Sequence, residues 1–370
     1  MTLPLAGITV LDFSTLLPGP MATLLLAEAG AEVLKIERPE RGDDMRHYEF
    51  PLGAASANFA LLNRGKRSIA IDLKAPDAVA RLVPLIARAD VLVEQFRPGV
   101  MDRLGLGYDA LRALNPRLVY CAITGYGQTG PRAGVAAHDL NYIGDTGLLA
   151  LSAGTDGAPI VPPALIADIG GGALPAVINI LLALRRRDAT GEGCKLDVAM
   201  CDGMFAFSYW ALGQGEAAGA WPKPGGELVT GGSPRYGIHP TSDGRFVAAA
   251  PLEQKFWDNF CTLIGLPPEW RDNARDPAGT RRAVAALIAR ESADYWRGRF
   301  AGQDCCCSIV QTVEAARHDP HFVARGLFER AVVDGARRIT ALPLPLDPQL
   351  RRAEPELGYP ALGDGNSLLG

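Results

Sequence analysis

A chain of 370 residues, 48% hydrophobic and 21% charged, has enough material for two packed cores, and it contains no low-complexity tract that would argue for disorder. A formal net charge of −4 gives no reason to expect nucleic acid or an anionic membrane as the main partner. It leaves room for a phosphorylated small molecule held by a few local arginines.

The opening reads as a βαβ unit. Gly7 to Phe13 is a short apolar strand, Leu17-Pro18-Gly19-Pro20 a turn, and Met21 to Ala29 a helix ended by Gly30. Ala31 to Ile36 is then a second strand. A strand at Ser68 to Leu73 precedes a helix near Pro76 to Ala89 and the strand Val91 to Glu94. A helix at Tyr108 to Leu114 leads to the strand Leu118 to Thr124. Strands alternating with helices predict an α/β fold built on a parallel sheet. Further helices are expected over Asn141 to Leu151 and Gly171 to Arg187. Ala164 to Leu184 is apolar enough to suggest a membrane span, but it contains Asp168, three consecutive glycines and Pro175, so a buried strand-turn-helix is the better reading.

Past Gly225 to Gly232 the pattern changes. A strand at Arg245 to Ala250 follows Ser242-Asp243-Gly244, and amphipathic helices follow near Gln254 to Ile264, Thr280 to Glu291 and Ala293 to Gly302. The expected layout is a large domain over 1–200, a linker over 201–225, a smaller α/β domain over 226–324, and a segment over 325–370 that returns to the large domain. No stretch near Met1 to Gly7 resembles a signal peptide. Seven cysteines, including the run Cys305-Cys306-Cys307, read as reduced thiols of a cytoplasmic protein. The spacing does not suggest a disulfide framework or a zinc site, and no metal is expected.

Two motifs mislead. Gly125-Tyr126-Gly127-Gln128-Thr129-Gly130 matches a dinucleotide fingerprint and follows a strand, but Pro131 comes next and no helix opens there. The first βαβ unit ends its second strand on Glu37, where a ribose-binding acid would sit. Its turn, however, carries Pro-Gly-Pro in place of closely spaced glycines, which leaves hydride transfer a minor alternative. His318-Asp319-Pro320-His321 is read as a surface turn rather than a metal site.

Two segments carry chemistry. In Ala137-His138-Asp139-Leu140-Asn141-Tyr142 a loop enters a helix, so His138 sits beside free amides and the positive end of the helix dipole. Such a place favours neutral imidazole, which suits a base. The plainer alternative is that His138 and Asp139 cap the helix. In Ala164-Leu165-Ile166-Ala167-Asp168-Ile169-Gly170-Gly171-Gly172 a carboxylate stands in an apolar run, which is costly without a task or a partner. The glycines let a ligand or another backbone come close. Here the plainer alternative is an N-cap for a helix starting near Gly171.

Across nearly its whole length the sequence resembles the family III CoA-transferase and α-methylacyl-CoA racemase family. The matching motifs are Pro4 to Asp12 (PLAGITVLD), Gly30 to Pro39 (GAEVLKIERP), Asn63 to Ser68 (NRGKRS), Glu94 to Gly99 (EQFRPG) and Thr124 to Pro131 (TGYGQTGP). The resemblance implies an interlocked homodimer with a large CoA-binding domain, a smaller domain and an active site between the two chains. It also implies coenzyme A as part of the substrate, no prosthetic group, and Asp168 as the catalytic aspartate. In the transferases that residue is a nucleophile, passing through an aspartyl-CoA intermediate. In the racemases it is one of two bases on opposite faces of the α-carbon.

The second racemase base is a histidine within a His-Asp-hydrophobic-Asn-Tyr motif, which stands here as His138 to Tyr142, whereas the transferases typically have an apolar or aromatic residue there. The expected activity is therefore racemisation of 2-methylacyl-CoA in fatty acid metabolism, with CoA transfer as the alternative. His138 and Asp168 are the expected acid/base pair. The Asp139 amide is the expected enolate donor, and by resemblance Glu253 orients His138. Arg38, Lys74, Arg97 and Arg103 are expected near the CoA phosphates and adenine. One departure is that no acidic residue stands near Gly237, while Arg235 and His239 make that neighbourhood basic. This leaves open a transferase or an acyl chain bearing a carboxylate.

Overall fold

The structure, a computed structural model, describes residues 2–154 and 156–369. It divides into two compact units, one made of Met1–Thr146, Pro162–Phe207 and Pro320–Gly370, the other of Gly147–Val161 and Ser208–Asp319.

The larger unit holds a six-stranded sheet in which every pairing is parallel. Its strands are β1 (Thr9–Asp12), β2 (Glu32–Glu37), β3 (Arg67–Ala70), β4 (Val91–Glu94), β5 (Val119–Thr124) and β6 (Cys194–Ala199). They lie in the order β3-β2-β1-β4-β5-β6. Apolar runs such as Val91-Leu92-Val93 in β4 are fully buried, as expected of strands covered on both faces. Helices α1 (Pro18–Glu28) and α2 (Ala78–Arg88) follow β1 and β3; Leu82, Leu85 and Ile86 of α2 pack on Leu11, Leu34 and Leu92 of the sheet. Helix α1 begins three residues before the sequence suggests, because Pro18 and Pro20 fit a first turn whose amides need no intrahelical partner.

The sheet also holds a polar centre. Asp12 Oδ2 accepts from Thr23 Oγ1 at 2.6 Å and from Lys66 Nζ at 3.1 Å. Lys35 Nζ donates to the Ser14 carbonyl at 2.8 Å and lies 3.0 Å from Asp43. Asp12, Lys35 and Ser14 are all fully buried. Asp43 also accepts from the Leu16 amide at 3.1 Å, which holds the chain beyond β1 in a left-handed turn (Leu16 φ +61°). Glu37 is consumed internally: it accepts from Arg46 Nε and Nη2 at 2.9 and 2.7 Å and from Ser68 Oγ at 2.5 Å, so it is no ribose ligand.

The C-terminal part of this unit is stitched onto the sheet. Arg330 Nη1 reaches Glu28 at 2.6 Å, and the Asp364 carboxylate accepts from the Ser68 amide at 2.7 Å.

The smaller unit pairs β7 (Gly237–Pro240), β8 (Phe246–Ala249) and β9 (Cys307–Ile309) antiparallel, in the order β9-β8-β7. Its core combines Val247 and Ala249 with Trp257, Phe260, Val284, Ile288 and Trp296 from three amphipathic helices. All seven cysteines are free thiols. Among the described residues no group of three His, Cys, Asp or Glu side chains could hold a metal ion.

Candidate active site

In the larger unit the strand order reverses between β1 and β4, and a crevice opens beyond the carboxyl ends of strands at such a point. A cavity of about 410 Å³ is lined by Leu17 and Pro18 after β1, by Gln95 and Arg97 after β4, and by Thr124 at the end of β5. His138, Tyr142 and Asp168 complete its wall. The two expected acid/base residues, 30 positions apart in sequence, thus face one cavity.

Asp168 is not an N-cap. It is the second residue of a π-helical turn, Ala167–Ala173, that runs into helix α4 (Leu174–Thr190); the helix starts four residues earlier than the glycine run suggests. The wider turn is rare and recurs at functional sites. The three glycines serve packing rather than a ligand. A Cβ on Gly171 would lie 2.1 Å from the Met200 carbonyl oxygen, and one on Gly170 would lie 2.5 Å from the Phe207 ring. Helix α5 (Met200–Phe207) therefore approaches the π turn backbone to backbone, and this contact fixes where Asp168 stands. The composite helix Ala167–Thr190 is long and apolar enough to cross a membrane, but Ala176, Ile180 and Leu184 are buried within the unit.

The Asp168 carboxylate has no hydrogen-bond partner among the described residues, and only its amide is engaged, donating to Asp139 Oδ1 at 2.9 Å. Burial, and next the Asp139 charge, push the Asp168 carboxyl up to about 6, while His138 pulls it down. A carboxyl near 6 can take or give a proton close to neutral pH.

His138 is the N-cap of helix α3 (Asp139–Asp145), which is shorter than expected; a separate 3₁₀ turn, Leu149–Leu151, lies in the other unit. The His138 amide donates to Asn141 Oδ1 at 3.0 Å, as in a capping box. The imidazole is exposed toward the cavity. Asp139 is buried and its side chain is spent on Asp168, while its own amide is the first of the helix, which intrahelical bonding cannot satisfy. Tyr142 braces the loop through Oη to the Ala137 carbonyl at 2.8 Å. A Cβ on Gly125 would meet the Tyr142 ring at 2.4 Å, so the first glycine of the fingerprint-like loop makes room for tyrosine.

The four basic residues divide. Arg97 lines the cavity; Arg38, Lys74 and Arg103 do not, although each follows the carboxyl end of a sheet strand and is exposed. Arg38 binds Asp44 and donates to the Gly42 carbonyl at 2.9 Å. Such a half-exposed pair costs little to break. In the smaller unit, Glu253 is the N-cap of the helix Gln254–Ile264. The basic character near Gly237 is not available to a carboxylate. Arg235 spends its guanidinium on Asn273 Oδ1 (2.8 Å), the Leu252 carbonyl (3.0 Å) and Gln254 Oε1 (2.7 Å), and lies over Trp257. His239 is buried, and desolvation lowers its pKa.

The sequence profile of CoA-transferase family III matches residues 5–366. The chain belongs to that family. Mouse α-methylacyl-CoA racemase is 35% identical over 346 residues, covering 92% of this chain and 86% of the relative. Acetyl-CoA:oxalate CoA-transferase of Acetobacter aceti is 36% identical over 302 residues, covering 79% of this chain and 77% of the relative. The crystal structure of a CAIB/BAIF family protein from Brucella suis superposes with a TM-score of 0.84 at 29% identity, over 99% of this chain and 98% of that one. Racemases and transferases are thus about equally similar, and the chain is a family III enzyme acting on CoA thioesters.

Within the family frame, sequence reasoning singled out His138, Asp139, Asp168 and Arg97 but missed the wall made by Leu17, Pro18 and Gln95. A signal was present: these residues stand in the segments that follow the first and fourth sheet strands, whose carboxyl ends flank the crevice of this strand order.

Proposed function

We propose that this enzyme is an α-methylacyl-CoA racemase, exchanging the α-proton of a 2-methylacyl-CoA thioester through an enolate. The observation that carries the reading is that His138 and Asp168 line one cavity, with a carboxyl at about 6 and an exposed imidazole. A thioester α-proton is weakly acidic, so one group must take it and another must return a proton from the opposite face. A cavity bearing two proton-transfer groups suits that task. For one enantiomer Asp168 takes the proton and imidazolium returns one; for the other the roles reverse. The Asp139 amide, left over by its helix, is the donor for the enolate oxygen.

Arg97 on the cavity wall would hold the CoA side, with Arg38, Lys74 and Arg103 further along the strand ends. The apolar lining from Leu16, Leu17 and Ile123 would take a branched acyl chain, as in fatty acid metabolism. The exposed apolar side chains Ile178, Leu182 and Phe207 support a homodimer in which a second chain covers them. Seven free thiols agree with a cytoplasmic location.

CoA transfer through Asp168 is the competing reading, favoured by the lack of a hydrogen bond on that carboxylate among the described residues, which leaves it open to attack a thioester carbonyl. Incubating the enzyme with one enantiomer of 2-methylacyl-CoA in D2O, with and without succinate, separates the two. Racemisation requires α-deuterium and equilibration of the enantiomers without an acceptor, and the equilibration is lost in His138→Ala. Retention of the α-proton with CoA passing to succinate, and a His138→Ala enzyme still active, would establish the transferase.

A further inference from the structure

One hydrogen bond spans the crevice between the β1 and β4 ends and has no part in the chemistry above. The Gly19 amide, in the first turn of α1, donates to Gln95 Oε1 at 3.0 Å. Because an amide N–H needs an acceptor, this bond identifies which end of the glutamine is oxygen, and the NH2 must face elsewhere. The contact is built for glycine. A Cβ at position 19 would overlap the Ser14 Cβ at 2.1 Å and press on Gln95 Oε1 at 3.0 Å. The backbone beneath is held as well, since the buried Glu94 carboxylate accepts from the Phe96 amide at 2.7 Å. Gln95 Nε2 has no hydrogen-bond partner among the described residues, and Gln95 lines the cavity that His138 and Asp168 share.

We infer that Gln95 is a second donor to the thioester carbonyl oxygen of the bound acyl-CoA, paired with the Asp139 amide. The inference rests on the proton-transfer reading and adds a residue to it. When the base removes the α-proton, the C–H electron pair becomes the Cα–C double bond and the carbonyl π pair moves onto oxygen. The Gln95 hydrogens stay on nitrogen, and their bond to that oxygen strengthens as its charge grows. Return of a proton to the opposite face restores the carbonyl. A donor whose orientation is already fixed by Gly19 loses little freedom on binding, which is what an oxyanion site requires.

The test is Gln95→Glu, which keeps an oxygen for the Gly19 amide and the same length but replaces the NH2 donor with an acceptor. Gln95→Leu serves as a second variant. For Gln95→Glu we expect an unchanged melting temperature, an α-deuterium exchange rate reduced by about 10²–10³-fold, and calorimetric affinity lost for acyl-CoA but kept within about twofold for free CoA, which has no thioester carbonyl. Exchange within about threefold of the parent would overturn the inference, as would equal weakening of CoA and acyl-CoA in both variants. If the parent enzyme exchanges no α-proton and transfers CoA instead, the proton-transfer reading fails alone. The acyl-CoA against CoA difference then decides Gln95 by itself.

Discussion

Two carboxylates of the larger unit, both taken out of water, have moved in opposite directions. Asp12, in the sheet, is fully buried; burial would raise it, but Lys66 and Lys35, with hydrogen bonds from Ser14 and Thr23, outweigh that and hold it at about 2. Asp168, on the cavity, has no such partners and rises to about 6, against an ordinary value of 3.8 for both. The difference is one of company rather than depth. A buried charge fully paired becomes part of the scaffold, while a half-buried one left without hydrogen bonds is available to react. Lys66 tells the same story from the other side: burial pushes it down to about 8, and Asp12 offsets part of that.

The sharpest way to break the comparison is to neutralise each carboxylate in turn. Asp168→Asn should slow equilibration of the two enantiomers by about 10²–10⁴-fold while leaving the melting temperature close to that of the parent. A comparable loss of stability would mean that Asp168 is scaffold after all. Asp12→Asn should do the reverse. It leaves Lys66 and Lys35 buried with reduced compensation and should cost about 3–5 kcal/mol in urea unfolding. A near-neutral result would show that the sheet centre does not depend on this pair.

The smallest effect is in the pH dependence of stability, and its direction differs between the two sites. The folded chain holds the Asp168 proton up to about 6, whereas the unfolded chain releases it near 3.8. Between about pH 4 and 6 this group therefore lowers stability as pH rises, with no further change above. Asp12 contributes stability above about pH 4 that is lost as pH falls toward 2. The stability difference between parent and Asp168→Asn, followed by unfolding at each pH, should change between pH 4 and 6 and be flat above. A difference that is flat throughout contradicts the raised carboxyl.

Much of this was readable from the chain alone. The alternation of apolar strands with helices from Gly7 to Thr124 determined a parallel α/β sheet, because only helices on both faces can cover strands with no polar side. The motifs from Pro4 to Pro131 determined the family, Asp168 stood out as a carboxylate in an apolar run, and His138 as a histidine at a helix start. Local signals erred where packing overrode them. The run Gly170-Gly171-Gly172 looked like a helix start, yet the close approach of α5 drew it into a π turn, and a one-dimensional pattern cannot report what lies against the far side of a backbone. Arg235 and His239 looked like a basic site, but Asn273, Leu252 and Gln254, distant in sequence or hidden in a helix start, had already claimed the guanidinium.

What the sequence by itself determined is the set of chemical groups and the order of strands and helices along the chain. Only the tertiary structure decided which of those groups meet. Strand order brought Gly19 to Gln95 and the loop holding His138 to the turn holding Asp168. It also gave Asp12 two lysines and Asp168 none. Those distances are properties of folded space, and they set the charge state and the freedom to react of two otherwise identical side chains.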